Sequence, residues 1–151
     1  MSFISIENLT TRYNTSKGLV HALEDVTFAI DKGESIGIAG ESACGKSTLG
    51  LSIIQMISNG KIYSGKIQFD GKSLLDVSDS DFNKNIRWKE ISMVFQGAMN
   101  SLDPVFSIQE QFEEVLKQHN FEGDLKQSII ESLNSVNLDE TVLKKFPHEL
   151  S

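Results

Sequence analysis

Hydrophobic and polar positions alternate with a period of two in three places along the chain, the pattern of a strand with one buried face. Ile4 and Ile6 stand between polar neighbours in 2–9, Val26, Phe28 and Ile30 in 22–30, and Ile67 and Phe69 in Gly65–Gly71. Asn14–Gly18 reads as the turn joining the first two strands, and Asp31–Glu34 as a second turn. Two unbroken apolar runs, Ser35–Ala39 (SIGIA) and Ile91–Phe95 (ISMVF), predict short buried strands. Between them, Leu49–Ile57 predicts an apolar helix stopped by Ser58-Asn59-Gly60, and Ser80 or Asp79 caps a short helix through Trp88.

The pattern then changes. Gly97–Phe106 is loop-like, after which Ser107 and Glu110 form a capping box ahead of Ile108, Phe112, Val115 and Leu116 on one helix face. Asp124 with Gln127 repeats the device, and Leu125, Ile129, Leu133 and Val136 share the next apolar stripe. The fold class expected is α/β: an N-terminal antiparallel β subdomain with an α/β unit over residues 1–96, then a helical part over 97–151. Any internal boundary falls between Phe95 and Ser107.

Composition narrows the setting. A 39% hydrophobic content in 151 residues is enough to bury a core. The net charge of -7 opposes general attraction to nucleic acid or anionic lipid. Cys44 is the single cysteine, so an intrachain disulfide is impossible, which suits a reducing compartment. No apolar run approaches membrane-spanning length, and Glu7 interrupts the N-terminus before a signal-peptide core develops.

The chemistry concentrates in Gly40–Thr48, GESACGKST, which fits the phosphate-binding pattern of Gly, four residues, Gly, Lys, then Ser or Thr. Such a loop needs a concave run of backbone N–H groups, so Gly40 and Gly45 supply backbone freedom around Glu41, Ser42, Ala43 and Cys44. Lys46 is expected to reach the terminal phosphates and the Ser47 hydroxyl to ligate Mg²⁺. The helix starting there turns its positive end toward the anion. The setting of strand, loop and helix is the one this motif requires.

Several separated features together resemble the nucleotide-binding subunits of ABC transporters, most closely those of dipeptide and oligopeptide importers, along the whole chain. The stretch ALEDVTFAIDKGESIGIAGESACGKST is similar to that family's run into its P-loop, and MVFQ followed by GAMNSLDP is similar to its Q-loop. The resemblance implies ATP and Mg²⁺ as cofactors, Tyr13 as the aromatic that stacks on adenine, and Gln96 as the residue sensing Mg²⁺ and the attacking water. It further implies transmembrane permease subunits as partners beside Gln96, a second ATP-binding subunit, and a cytoplasmic place on the inner face of the membrane with no direct insertion. Gly97 and Ala98 depart from the acid and proline usual after that glutamine, which would loosen the loop.

FPHELS at the end resembles the entry to the ABC signature. By the same resemblance the rest of the signature, the Walker B aspartate, the catalytic glutamate and the switch histidine would follow. The expectation is therefore a piece of a longer ATPase that holds phosphate without hydrolysing it. Other readings stay open beside this one. Tyr13 could simply pack beside a turn, and Gln96 could be an ordinary polar strand end. Cys44 at a helix start could have a lowered thiol pKa or be only a tolerated small residue. His21, His119 and His148 lack metal-ligand spacing, Glu110, Glu113 and Glu114 fit a solvated helix face, and Met56, Met93 and Met99 read as packing. A GTPase needs an Asn-Lys-x-Asp reader, and Asn83–Ile86 lacks the Asp. An exporter ATPase and a non-catalytic binding module remain as alternatives.

Overall fold

A computed structural model describes residues 2–150, the side chain of Ala98 excepted. The chain divides into two compact units, Met1–Met93 and Val94–Ser151.

In the first unit, four strands form one antiparallel sheet in the order β2-β1-β3-β4. They are β1 (Ile4–Thr15), β2 (Gly18–Ile30), β3 (Gly60–Phe69) and the two-residue β4 (Lys72–Ser73). The alternation legible in the sequence sets the register: Ile4 pairs with Ile30 on one side and Phe69 on the other, and Ile6 with Phe28 and Ile67. Ile6, Leu9, Leu23, Ile67 and Phe69 are thereby gathered on one face, where Leu49 of α1 (Lys46–Ile53) and Phe82 of α2 (Asp79–Asn85) close the core.

β1 and β2 are longer than the alternation alone indicates because bulges let both strands continue past its breaks. Asn8 and Asp25 take φ values of 50° and 54° there, a conformation Asn and Asp tolerate better than other non-glycine residues. Asn8 Nδ2 donates to Asp25 Oδ1 across the pair, and Asn8 N to Thr27 Oγ1.

α1 is anchored to this sheet through a buried polar pair. Ser52 Oγ donates its one proton to Thr48 O at 2.7 Å, so in the 3.1 Å contact between Thr11 Oγ1 and Ser52 Oγ the threonine is the donor. Thr11 and Ser52 are both fully buried, and both of their hydroxyl hydrogens are used, which fixes the helix at a set height over β1.

Several expectations in this unit are corrected. α1 ends at Ile53, because Gln55 turns to φ 53° and breaks the helix. α2 is capped by Ser78, not Ser80 or Asp79: Ser78 Oγ accepts from Asp81 N and donates to Asp81 Oδ2, and the helix stops at Asn85. Ser35–Ala39 joins no sheet among the described residues. Ile36 and Ile38 are 42% and 51% exposed, since a run with strand propensity becomes a strand only where a neighbour supplies the ladder.

Ile91–Phe95 behaves likewise. Only Ile91 makes a bridge, to Arg87, and Val94 is 86% exposed. Met56 is also exposed, whereas Met93 does pack, its Cε lying 3.1 Å from where a Cβ on Gly50 would stand.

Trp88 is held at φ 64°, a region costly for a bulky residue, while its indole is 57% exposed and gains little from packing. Trp88→Gly is expected to raise stability by about 1 kcal/mol, seen as a higher urea midpoint at unchanged slope. A midpoint at or below the parent's refutes this.

The second unit holds α3 (Ile108–Gln118) and α4 (Leu125–Ser135), with short 3₁₀ turns at Ala98–Ser101, Glu140–Lys144 and Pro147–Glu149. The Ser107–Glu110 capping box forms, with Ser107 N donating to Glu110 Oε2 and Glu110 N to Ser107 Oγ. Only half of the second box does. Gln127 N donates to Asp124 Oδ1, but the Gln127 amide turns along the helix to donate to Glu131 Oε1. Ile108, Ile129, Leu133 and Leu143 make the core, with Phe112 and Leu116 packed against it. Val115, Val136 and Met99, expected to pack, are exposed: Val136 falls on the α4 cap, and Val115 turns one residue past the buried stripe. Ser151, the last residue of the signature-like FPHELS, lies outside the described residues.

Candidate functional site

The loop Gly40–Cys44 leads into Gly45, whose φ of 96° turns the chain into α1. A side chain could not stand there: a Cβ on Gly45 would lie 2.4 Å from Ala22 O and 2.9 Å from Leu23 Cδ2. β2 therefore presses against the loop and only glycine fits between them. Gly40 is constrained too, since a Cβ would meet Cys44 Sγ at 2.6 Å. Ala43, at φ 64°, carries the remaining strain of the loop.

No side chain caps the start of α1, and its first turn contains no acid. The leading N–H groups of a helix have no intrahelical acceptors, so Lys46, Ser47 and Thr48 direct uncapped donors and the positive end of the dipole outward. Lys46 Nζ bends back over the loop and donates to Gly40 O and Glu41 O, both at 2.7 Å, and to Cys44 Sγ at 3.3 Å. The ammonium thus sits at the centre of the loop, balanced by neutral carbonyls that an incoming anion readily outcompetes. Ser47 is exposed at the second position of the helix, and Thr48 is buried.

Tyr13 joins this group from β1. Its hydroxyl donates to Thr48 Oγ1 at 3.4 Å, and its ring lies beside Gly60, where a Cβ would come within 2.8 Å of Tyr13 Cδ1. Tyr13, Val20, His21, Ala22 and Ala43–Thr48 line one cavity of about 290 Å³. The sequence reading missed Val20, His21, Ala22 and Gly60. The available signal was register, since Val20 and Gly60 are the pairing partners of Tyr13 on its two sides.

A larger groove of about 700 Å³ runs along α3, but Glu110, Glu113 and Glu114 line it and would repel a polyphosphate. Gln96 is exposed and belongs to the second unit. Among the described residues no three His, Cys, Asp or Glu gather as a metal cluster, so an ion at Ser47 would be held jointly with phosphate oxygens. The residues present suit a Mg-nucleotide in that sense: one hydroxyl, uncapped N–H donors and one ammonium.

Electrostatics single out Cys44. The hydrogen bond from Lys46 holds its thiol below the ordinary thiol range, with the charge of Lys46 adding to the effect. A depressed pKa means the thiolate persists to lower pH than in a free thiol. Alkylation of Cys44 is therefore expected to reach half its maximal rate below the pH required in the urea-unfolded chain, and Lys46→Ala should move that midpoint up. Identical pH–rate curves for folded and unfolded chains would count against the contact. Elsewhere, the hydrogen bond from Arg12 keeps the Glu24 carboxyl below its usual range, and His21 Nδ1 lies 2.5 Å from the same oxygen.

No helix among the described residues is long and apolar enough to cross a membrane. The sequence profile described as ABC transporter matches residues 23–151. Among curated proteins, the oligopeptide transport ATP-binding protein AppD of Bacillus subtilis (strain 168) is 38% identical over 156 residues, covering 99% of this chain and 47% of that protein. OppD of Haemophilus influenzae is 36% identical, covering 98% and 47%. The chain thus spans about half the length of the curated relatives it matches. Among solved structures, the dimeric ATP-binding cassette MJ0796 in a post-hydrolysis state bound to ADP and Pi superposes with a TM-score of 0.83 at 27% identity, over 98% of this chain and 63% of that one. A second dimeric MJ0796 structure gives the same TM-score at 29% identity. A glycine-built loop at a helix start, with an aromatic from the neighbouring hairpin in one cavity, agrees with these likenesses: the chain belongs to the ABC transporter ATP-binding family.

Proposed function

We propose that this chain is the nucleotide-binding part of an ABC transporter subunit that uses ATP to energise uptake of peptides or related solutes. The observation that carries the reading is the single cavity in which Lys46, the uncapped start of α1 and the Tyr13 ring come together. Gly40–Thr48 wraps the phosphates, Lys46 neutralises the terminal ones, and Tyr13 offers its ring to adenine once its hydroxyl leaves Thr48. Ser47 ligates Mg²⁺, and Gln96 keeps the role that the family resemblance gives it, sensing Mg²⁺ and the attacking water in the intact protein. Names carried by the relatives support peptides as the cargo class, and the two-chain MJ0796 assembly supports a second ATP-binding subunit as partner. Permease subunits in the membrane are the other partners, which places this chain at the inner membrane face.

Binding without turnover is proposed for these 151 residues by themselves. The walls of the cavity carry no carboxylate among the described residues to serve as general base, and His21 on that wall is already engaged with Glu24 Oε1. Calorimetric titration with Mg-ATP and Mg-GTP, with phosphate release followed in parallel, tests the reading. ATP should bind more tightly than GTP, with phosphate release at the buffer background. Preference for GTP sinks the assignment, and multiple turnovers by this chain sink the division between binding and chemistry. Uptake of labelled peptides by cells carrying the intact parent protein, with and without Lys46→Ala, tests the cargo class.

A further inference from the structure

α1 has eight residues, two turns that would not persist alone in water, so its direction is imposed from outside. Its C-terminal end lacks the glycine that usually closes a helix. Gln55 takes the left-handed conformation there at φ 53°, and its amide donates to Leu74 O. The carbonyls of Gly50, Leu51 and Ser52 accept from the backbone N–H groups of Ile54, Met56 and Gln55, and the next two carbonyls after the helix are taken up by one side chain just past α2. Arg87 Nη2 donates to Ile54 O at 2.9 Å and to Gln55 O at 3.2 Å.

The guanidinium is itself oriented. Its Cζ lies 5.4 Å from the centre of the fully buried Phe82 ring, Nη1 donates to Asn83 Oδ1, and Nε is buried without a partner. Leaving a buried donor unbonded is costly, so the fork has been turned toward the two carbonyls that close α1 at its C-cap, at the expense of Nε. A cation at this end also complements the helix dipole whose opposite end faces the phosphate loop, about 12 Å away at 1.5 Å per residue.

We propose that Arg87 is a positioning residue for nucleotide binding: it clamps the C-terminal end of α1 and so holds the donors of the first turn, Lys46 to Thr48, in the geometry that receives phosphate. This rests on the P-loop reading above. The clamp acts on phosphate and not on the base, because α1 carries the loop while Tyr13 stands on β1.

The test compares Arg87→Met, which keeps the stem and removes the donors, with Arg87→Lys, which keeps the charge and loses the fork. Affinities for ATP, ADP and adenosine are measured on the 151-residue chain well below its melting temperature. Arg87→Met should weaken ATP and ADP by roughly three- to tenfold and leave adenosine within about twofold, with Arg87→Lys in between. In a Lys46→Ala background the Arg87→Met effect on ATP should shrink, since both changes act on the same phosphate contacts. If Arg87→Met proves too unstable to titrate, Arg87→Lys decides. Unchanged ATP affinity, or an equal loss for adenosine, overturns the proposal, the second result being that of general loosening. Wild-type chain that fails to bind ATP overturns the P-loop reading as well, whereas wild-type binding with unaffected variants overturns the clamp alone.

Discussion

Lys46→Ala is expected to weaken Mg-ATP binding by about two orders of magnitude, the scale for removing a charged donor from a phosphate site. The folded chain should survive the change. Lys46 Nζ bonds only to the exposed carbonyls of Gly40 and Glu41 and to Cys44, so its loss frees loop groups that water can satisfy. The far-ultraviolet spectrum and melting temperature should stay close to the parent's while titration with ATP loses its saturable phase. Retained ATP affinity in a folded Lys46→Ala chain would refute the phosphate assignment. The same variant links two further observations, because the depressed thiol pKa of Cys44 depends on that ammonium.

Gly65→Ala is expected to have the largest effect on stability. Gly65 sits at φ 104° where β3 crosses the bulge of β1, and a Cβ there would stand 2.6 Å from Leu9 Cα and 2.7 Å from both Asn8 O and Glu7 O. All three atoms are backbone of β1, held by the Glu7–Lys66 pair on one side of the bulge and the Leu9–Val26 pair on the other, so none can yield as a side chain would. The left-handed conformation alone costs an L-residue about 1–2 kcal/mol, and the forced separation of β1 from β3 raises the total to about 3 kcal/mol or more. Urea unfolding followed by circular dichroism measures this. A change below about 1 kcal/mol would mean that the strands part easily at the bulge. Gly71 is the contrast: it too has positive φ, but no atom stands within 4 Å of its would-be Cβ, so replacement there costs conformation only.

The features legible in the sequence depend on residues close to one another in it. A period of two placed Ile4, Ile6, Phe28, Ile30, Ile67 and Phe69 on strands, and the structure pairs them in that register. Ser107 and Glu110, three positions apart, announce a cap that forms as read. Gly40–Thr48 announces its loop and helix for the same reason. Ser35–Ala39 and Ile91–Phe95 were misread because strand formation is decided by a partner, and apolar content says nothing of whether one is present. The close approaches that shape the site were not legible at all. Ala22 O against Gly45, Tyr13 against Gly60 and Arg87 on the end of α1 join residues 23, 47 and 32 or 33 positions apart, and only the folded register reveals them.

Trp88 follows Arg87 directly and is the chain's single tryptophan. Its mostly solvent-facing indole is therefore a native optical probe rooted one peptide bond from the guanidinium clamp. Steady-state emission and acrylamide quenching of this one fluorophore would report the release of the helix's far end without any added label. Time-resolved anisotropy during nucleotide titration would then separate motion of that anchor from unfolding of the sheet.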